Sequence, residues 1–260
     1  MIGSSEWITI GGEARALTVR PASAPPWPAL LVMHAVMGID GYMRDLAGSF
    51  ADDGYCVMVP DLYAHDAGYK QHHPEHIEAA AHMVIDPKKA EILSRSSGEA
   101  RDAIRRARDW IVRRPTHTYL GIILKLFQHM RASPEIRRIG ALGFCMGGRL
   151  VGELAATSAD LAAGVIHYGA PPSLDLVPKI RAPLEGHYAT TDSAITSKVP
   201  SFAAAMKSAG KEFAYYIYDA DHGFTLRTDR FLAAKRLAMR RSQEFLSRNL
   251  RPSSPADAEE

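Results

Sequence analysis

Cysteine is scarce in this chain: 260 residues hold only Cys56 and Cys145. Two are too few for a disulfide framework at this size, and a reducing cytoplasm is the expected location. An excess of either charge is also missing, since 31 Lys and Arg face 29 Asp and Glu, leaving a formal net charge of +2. That gives no footprint for nucleic acid or for a membrane surface as partner. No apolar run approaches the roughly 20 residues that cross a bilayer. The start, "MIGSSEWITI", lacks the basic segment and long apolar core of a signal peptide. There is no GxxxxGK[ST] loop to cradle phosphate and no HExxH pair. "HHPEHIEAAAH" crowds His72, His73, His76 and His82 together, but without metal-ligand spacing or a partnered cysteine it reads as a solvated polar loop. Neither a metal nor a cofactor is expected.

What the chain does have is a regular alternation of strand and helix signals. "EWITI" and "ARALTVR" read as a hairpin joined at Gly11 and Gly12. "ALLVMH" (29–34) is an unbroken apolar run, as expected of a parallel strand covered on both faces. Asp40 is placed to cap the next helix, in which Tyr42, Leu46 and Phe50 share a face and which Gly54 stops. "YCVMV" (55–59), "IGALGF" (139–144), "AAGVIHY" (162–168), "APLEGHY" (182–188) and "EFAYYIY" (212–218) supply the later strands. Ala100, Ile104, Ala107 and Ile111 make a helical stripe that Pro115 closes, and 229–248 reads as the last helix. This pattern specifies one α/β domain over residues 1–250, with a doubly wound, mostly parallel sheet flanked by helices. "RPSSPADAEE" (251–260) reads as a frayed tail. One segment exceeds what a simple connection needs. In "THTYLGIILKLFQHMRAS" (116–133), Tyr119, Ile122, Ile123, Leu126, Phe127 and Met130 form a broad apolar helical face. It suits an additional core helix, with a cap over the active site or a dimer contact as the alternative.

Chemistry gathers in three places. In "GFCMGG" a buried strand gives way to Cys145 among Gly143, Gly147 and Gly148. That is the small-residue pattern of a strand-to-helix elbow that displays a nucleophile, with cysteine in place of serine. A small apolar filler is the alternative for Cys145, but a core strand gains nothing from three glycines; Cys56 has no such setting and reads as filler. "ATTD" puts Asp192 just beyond the next strand but one, and "DADHGF" puts His222 beyond the last. Asp192 is also placed to cap the helix starting near Ser193, and Asp219 and Asp221 are alternative acids. Turns at the carboxyl ends of parallel strands face one crevice, so nucleophile, acid and histidine are positioned to meet. Their order along the chain is the α/β-hydrolase order.

The stretch "MHAVMGIDGYMRDLAGSFADDGYCVMVPDLYA", the elbow "GFCMGG", the late aspartate and "DADHGF" together resemble the dienelactone hydrolase family. Similarity runs from about residue 29 to about residue 248. The resemblance implies the α/β-hydrolase fold and opening of enol lactones. It also implies a Cys145–His222–Asp192 triad and an oxyanion hole from the backbone N–H groups of Val36 and Met146. A small lactone or ester is the implied partner, with the protein a monomer or homodimer. The sequence departs from the family in "HA" at His34–Ala35, where members carry a glutamate at the second position, and in "HYATTD", where Ala189 replaces a glycine. The family holds a substrate carboxylate with arginines, and Arg227 is a candidate counterpart; a surface arginine opening a helix is the other reading.

A thiolate leaves a tetrahedral adduct more readily than most alkoxides do. A cysteine enzyme therefore favours substrates with a good leaving group, such as enol lactones and activated esters. A general esterase or thioesterase is the neighbouring alternative. From another class, a redox-responsive protein would keep the elbow thiol without turnover. An intact Asp192 and His222 would have little purpose in such a sensor.

Overall fold

The computed structural model describes residues 2–85, 91–114, 116–226 and 229–251. Its eight-stranded sheet consists of β1 (Ile2–Ile10), β2 (Ala14–Pro21), β3 (Trp27–Met33), β4 (Cys56–Pro60), β5 (Ile136–Phe144), β6 (Ala163–His167), β7 (Leu184–Ala189) and β8 (Phe213–Tyr218). The spatial order is β1-β2-β4-β3-β5-β6-β7-β8. β2 pairs antiparallel with both β1 and β4, and every other pairing is parallel. The hairpin turns at Gly11 and Gly12, whose φ values of 59° and 73° would strain any residue with a Cβ.

Strand alternation splits the interior into two layers. Ala29, Leu31 and Met33 point to one face of β3, and Leu30 and Val32 to the other. On the Leu30 face lie α1 (Gly41–Asp52) and α9 (Leu232–Leu250), through Met43, Ala47, Phe50, Phe245, Leu246 and Leu250. Asp40 caps α1 by accepting from the Met43 N–H at 2.9 Å, and Gly54 follows its end at φ 90°. On the Leu31 face lie α5 (Thr116–Ala132), α6 (Met146–Thr157) and α8 (Val199–Ser208).

α5 is thus the additional core helix. Tyr119, Ile123, Leu126, Phe127 and Met130 are buried in that layer, and removing one such large aliphatic chain costs about 2–5 kcal/mol. The stretch read from sequence as a polar loop is instead largely helical, and that expectation is corrected here. α2 (Pro74–Ile85) begins on a proline, which suits a first helical position. Its Ile77, Ala80 and Met83 pack on Ile104, Ala107 and Ile111 of α4 (Gly98–Arg113) and on Val36. A three-residue apolar period was hidden among histidines. A short α3 (Glu91–Arg95) leads into α4, and α7 (Ser193–Thr196) follows β7. Residues 252–260, where a frayed tail is expected, lie outside the described residues, as does Pro115. Among the described residues no helix is long and apolar enough to cross a membrane.

Candidate active site

The parallel register puts the carboxyl ends of β3, β5, β6, β7 and β8 along one edge: Met33 pairs with Gly143, Phe144 with His167, and Ala189 with Tyr218. Cys145 stands between β5 and α6 at φ 55° and ψ −113°, a conformation that an L-residue rarely adopts. Its N–H donates to the His167 carbonyl at 2.9 Å, and its own carbonyl accepts from the Arg149 N–H at 3.1 Å. The glycines are required by backbone approach. A Cβ on Gly143 would lie 2.2 Å from the Gly147 oxygen, and one on Gly147 would lie 2.3 Å from the Met33 oxygen. Those contacts let strand, turn and helix close tightly enough to push the Cys145 side chain outward.

His222 occupies the turn after β8, and Gly223 beside it takes φ 82°. Its Nδ1 is 2.5 Å from Asp192 Oδ2. Asp192 precedes α7 but makes no side-chain cap hydrogen bond there, which leaves the carboxylate to the imidazole. The alternative acids are engaged elsewhere: Asp219 accepts from the Thr190 hydroxyl, and Asp221 from Thr191 and Arg230. His222 Nε2 is buried and makes no hydrogen bond of ordinary geometry, yet it lies close enough to Cys145 for each to perturb the other's ionisation. For the thiol, burial opposes ionisation. The His222 imidazole, the Arg114 guanidinium and the Met146 N–H outweigh it and hold the Cys145 thiol below its ordinary range. Burial also opposes charge on His222, but the Cys145 sulfur and the Asp192 carboxylate prevail and raise it. Both shifts lean towards a pair of thiolate and imidazolium. Cys56, in a buried strand, is driven the other way, up to about 11.

A cavity of about 340 Å³ opens over Cys145 and His222, walled by Ala35, Val36, Met37, Tyr168, Phe224 and Phe231. Ala35 therefore sits in the thiol's own pocket, as its place before Val36 implies. α2 contributes Glu78, Ala81 and His82 to this cavity, whereas α5 contributes nothing. Met146 is the first residue of α6, so its N–H is one of the helix donors with no intrahelical partner. Arg227 lies outside the described residues, although Leu226 and Arg230 line the cavity. Sequence reasoning missed Tyr168, Arg114 and the α2 side chains. Tyr168 follows the end of β6 and so carried a positional signal, whereas Arg114 reaches Cys145 only through the fold. Among the described residues no group of three or more His, Cys, Asp or Glu is arranged to hold a metal ion.

An elbow cysteine, a histidine and a buried aspartate, brought together at the carboxyl edge of this sheet, define the α/β-hydrolase class. Within it, the model of the dienelactone hydrolase family matches residues 14–250, and the chain belongs to that family and is a hydrolase. It is 25% identical to the carboxymethylenebutenolidase of Pseudomonas putida over 236 residues, covering 89% of this chain and 90% of that protein. It is 26% identical to a protein of Saccharolobus solfataricus named "Putative carboxymethylenebutenolidase", covering 82% of this chain and 85% of that protein. Its fold matches the crystal structure of a "Putative Dienelactone Hydrolase" from Klebsiella pneumoniae with a TM-score of 0.70 at 22% identity, covering 94% of this chain and 97% of that one.

Proposed function

We propose that this hydrolase opens enol lactones and cleaves activated carboxylic esters through a Cys145 acyl-enzyme. The observation that carries the reading is the alignment of Asp192, His222 and Cys145, with a thiol held low by the imidazole it faces. The Cys145 thiolate attacks the acyl carbon, and the negative charge on the carbonyl oxygen is met by the N–H groups of Met146 and Val36. The tetrahedral adduct collapses as the C–O bond breaks, and the His222 imidazolium gives its proton to the departing oxygen. In a lactone that oxygen stays tethered to the acyl group. A water then attacks the thioester, His222 takes its proton, and the thiolate leaves with the free acid as product. Asp192 holds the Nδ1–H tautomer throughout.

A thiolate competes well with an alkoxide as leaving group, so the adduct moves forward when the substrate's own oxygen departs as an enolate or phenolate. That favours enol lactones and aryl esters over alkyl esters and amides. The test is a panel of lactones and esters, including a short p-nitrophenyl ester, run on the parent protein and on Cys145→Ala. Turnover of enol lactones and aryl esters that disappears in the variant is expected. Hydrolysis that survives Cys145→Ala sinks the reading.

A further inference from the structure

A buried chain of hydrogen bonds runs from the catalytic pocket to α9, and the mechanism above uses none of it. Tyr168 lines the pocket, with its ring centroid 4.9 Å from that of His222. Its hydroxyl is 2.8 Å from Thr225 Oγ1, three residues past His222 in the same turn. Thr225 Oγ1 is 3.4 Å from His167 Nδ1, and His167 Nε2 is 2.9 Å from Ser242 Oγ. Ser242 Oγ is 3.0 Å from His187 Nε2, which also meets Glu185 at 2.9 Å. His187 Nδ1 is 2.9 Å from the Tyr218 hydroxyl, to which Arg241 donates at 3.2 Å. Tyr168, His167, His187, Thr225 and Ser242 are all fully buried.

One assignment of protons satisfies every member. Ser242 donates to the Ala238 carbonyl one turn back, at 2.9 Å. Its oxygen then accepts from the Nε2–H of His167 and, together with the Glu185 carboxylate, shares the Nε2–H of His187. His167 Nδ1 accepts from Thr225, and Thr225 accepts from Tyr168. On the far side Arg241 leaves Tyr218 to donate to His187 Nδ1. Both imidazoles are neutral in this scheme. Burial, aided by His187, holds His167 well below its ordinary range, and burial, aided by Arg241, brings His187 down to about 3.

Polar groups in so dry a place are costly unless all are paired, and a fully paired set fixes one geometry. Two observations place that geometry at the catalytic turn. Tyr168 is held at φ 39°, a conformation that persists in a non-glycine residue only when its surroundings over-determine it. Thr225 is fastened at its backbone as well, because the Tyr42 hydroxyl donates to its carbonyl at 2.6 Å.

We propose that Tyr168 and Thr225 are positioning residues. The Tyr168 ring backs the His222 imidazole, and the Tyr168–Thr225–His167–Ser242 chain holds the turn so that Nδ1 meets Asp192 while Nε2 faces Cys145. The proposal rests on the cysteine-triad reading and deepens it. Thr225→Val keeps the side chain's shape and removes its hydroxyl; Tyr168→Phe keeps the ring and removes its donor; Thr225→Ser restores the hydroxyl. For each full-length protein, kcat and KM are measured with a p-nitrophenyl ester, and alkylation of Cys145 by iodoacetamide is followed from about pH 5 to about pH 9. Thr225→Val and Tyr168→Phe should each lower kcat about tenfold, with KM within about twofold. Each should also move the alkylation profile to higher pH, while Thr225→Ser keeps the parent behaviour. An unchanged alkylation profile in whichever of Thr225→Val and Tyr168→Phe is folded overturns the proposal, whatever happens to kcat. Failure of the triad reading shows separately, as ester hydrolysis that survives Cys145→Ala. The alkylation profile reports His222 against Cys145 whether or not the ester is turned over.

Discussion

His222 Nδ1 and Asp192 Oδ2 meet at 2.5 Å, although thirty residues separate them along the chain. The Asp192 side chain is 1% exposed and that of His222 13%. A carboxylate so buried is stabilised chiefly by its imidazole, and the imidazole's ring orientation is set by the carboxylate. His222→Ala should therefore abolish ester hydrolysis to near background. Asp192→Asn should lower kcat by about 10²- to 10⁴-fold, because it disturbs the tautomer without removing the base. Asp219→Asn and Asp221→Asn should stay within about threefold of the parent, since their carboxylates bond to threonines and Arg230. Steady-state kinetics on the four variants decides the matter, and a silent Asp192→Asn beside a crippled Asp221→Asn would name a different acid.

The two cysteines should separate sharply on alkylation. The reactive species is the thiolate, and the Cys145 thiol is held low by His222 and Arg114 against the effect of burial, while burial drives Cys56 up to about 11. A lowered thiol pKa beside a raised imidazole pKa keeps the ion pair between those two values. Its alkylation should thus set in at lower pH than that of an ordinary thiol and fall as the pH drops through the lowered thiol pKa. Peptide mapping after brief iodoacetamide treatment near neutral pH should find Cys145 labelled and Cys56 intact, with activity lost in step.

Ala35 lines the same cavity as Cys145. A carboxylate placed there would face the thiolate and compete with it for the His222 proton. Ala35→Glu should therefore raise the Cys145 pKa and slow alkylation at about pH 6, since a like charge within a few ångströms disfavours ionisation. The comparison is the pH profile of inactivation in two folded proteins; identical profiles would place residue 35 outside the thiol's field.

Gly143→Ala tests the elbow itself. Its new Cβ would lie 2.2 Å from the Gly147 oxygen, a backbone atom that cannot rotate aside. Overpacking of this kind costs about 1–3 kcal/mol or more, which in a chain of this size lowers Tm by about 2–4 °C per kcal/mol. Thermal melting and ester hydrolysis should both suffer. Gly121→Ala meets nothing within 4 Å in α5, and it should melt no lower than the parent.

The sequence by itself determined the strand order along the chain, the Asp40 cap, the Gly11–Gly12 turn and the three positions, Cys145, Asp192 and His222, that the fold brings together at the candidate site. Each of these rests on local chemistry: periodic apolar residues, turn residues that tolerate positive φ, and the rule that parallel strands deliver their following turns to one edge. Tertiary structure decided what depends on neighbours remote in sequence. Whether α5 capped the pocket or filled the core turned on which layer its apolar face met, and β2, β5 and α6 supplied that layer. The helical nature of 74–85 was hidden because its apolar period of three is thin and needs α4 as a partner to become an advantage. The network of Tyr168, Thr225, His167, Ser242 and His187 was illegible for the same reason. Ser242 stands 75 residues from His167, and only close packing of α9 on the sheet turns separate polar side chains into one hydrogen-bonded chain.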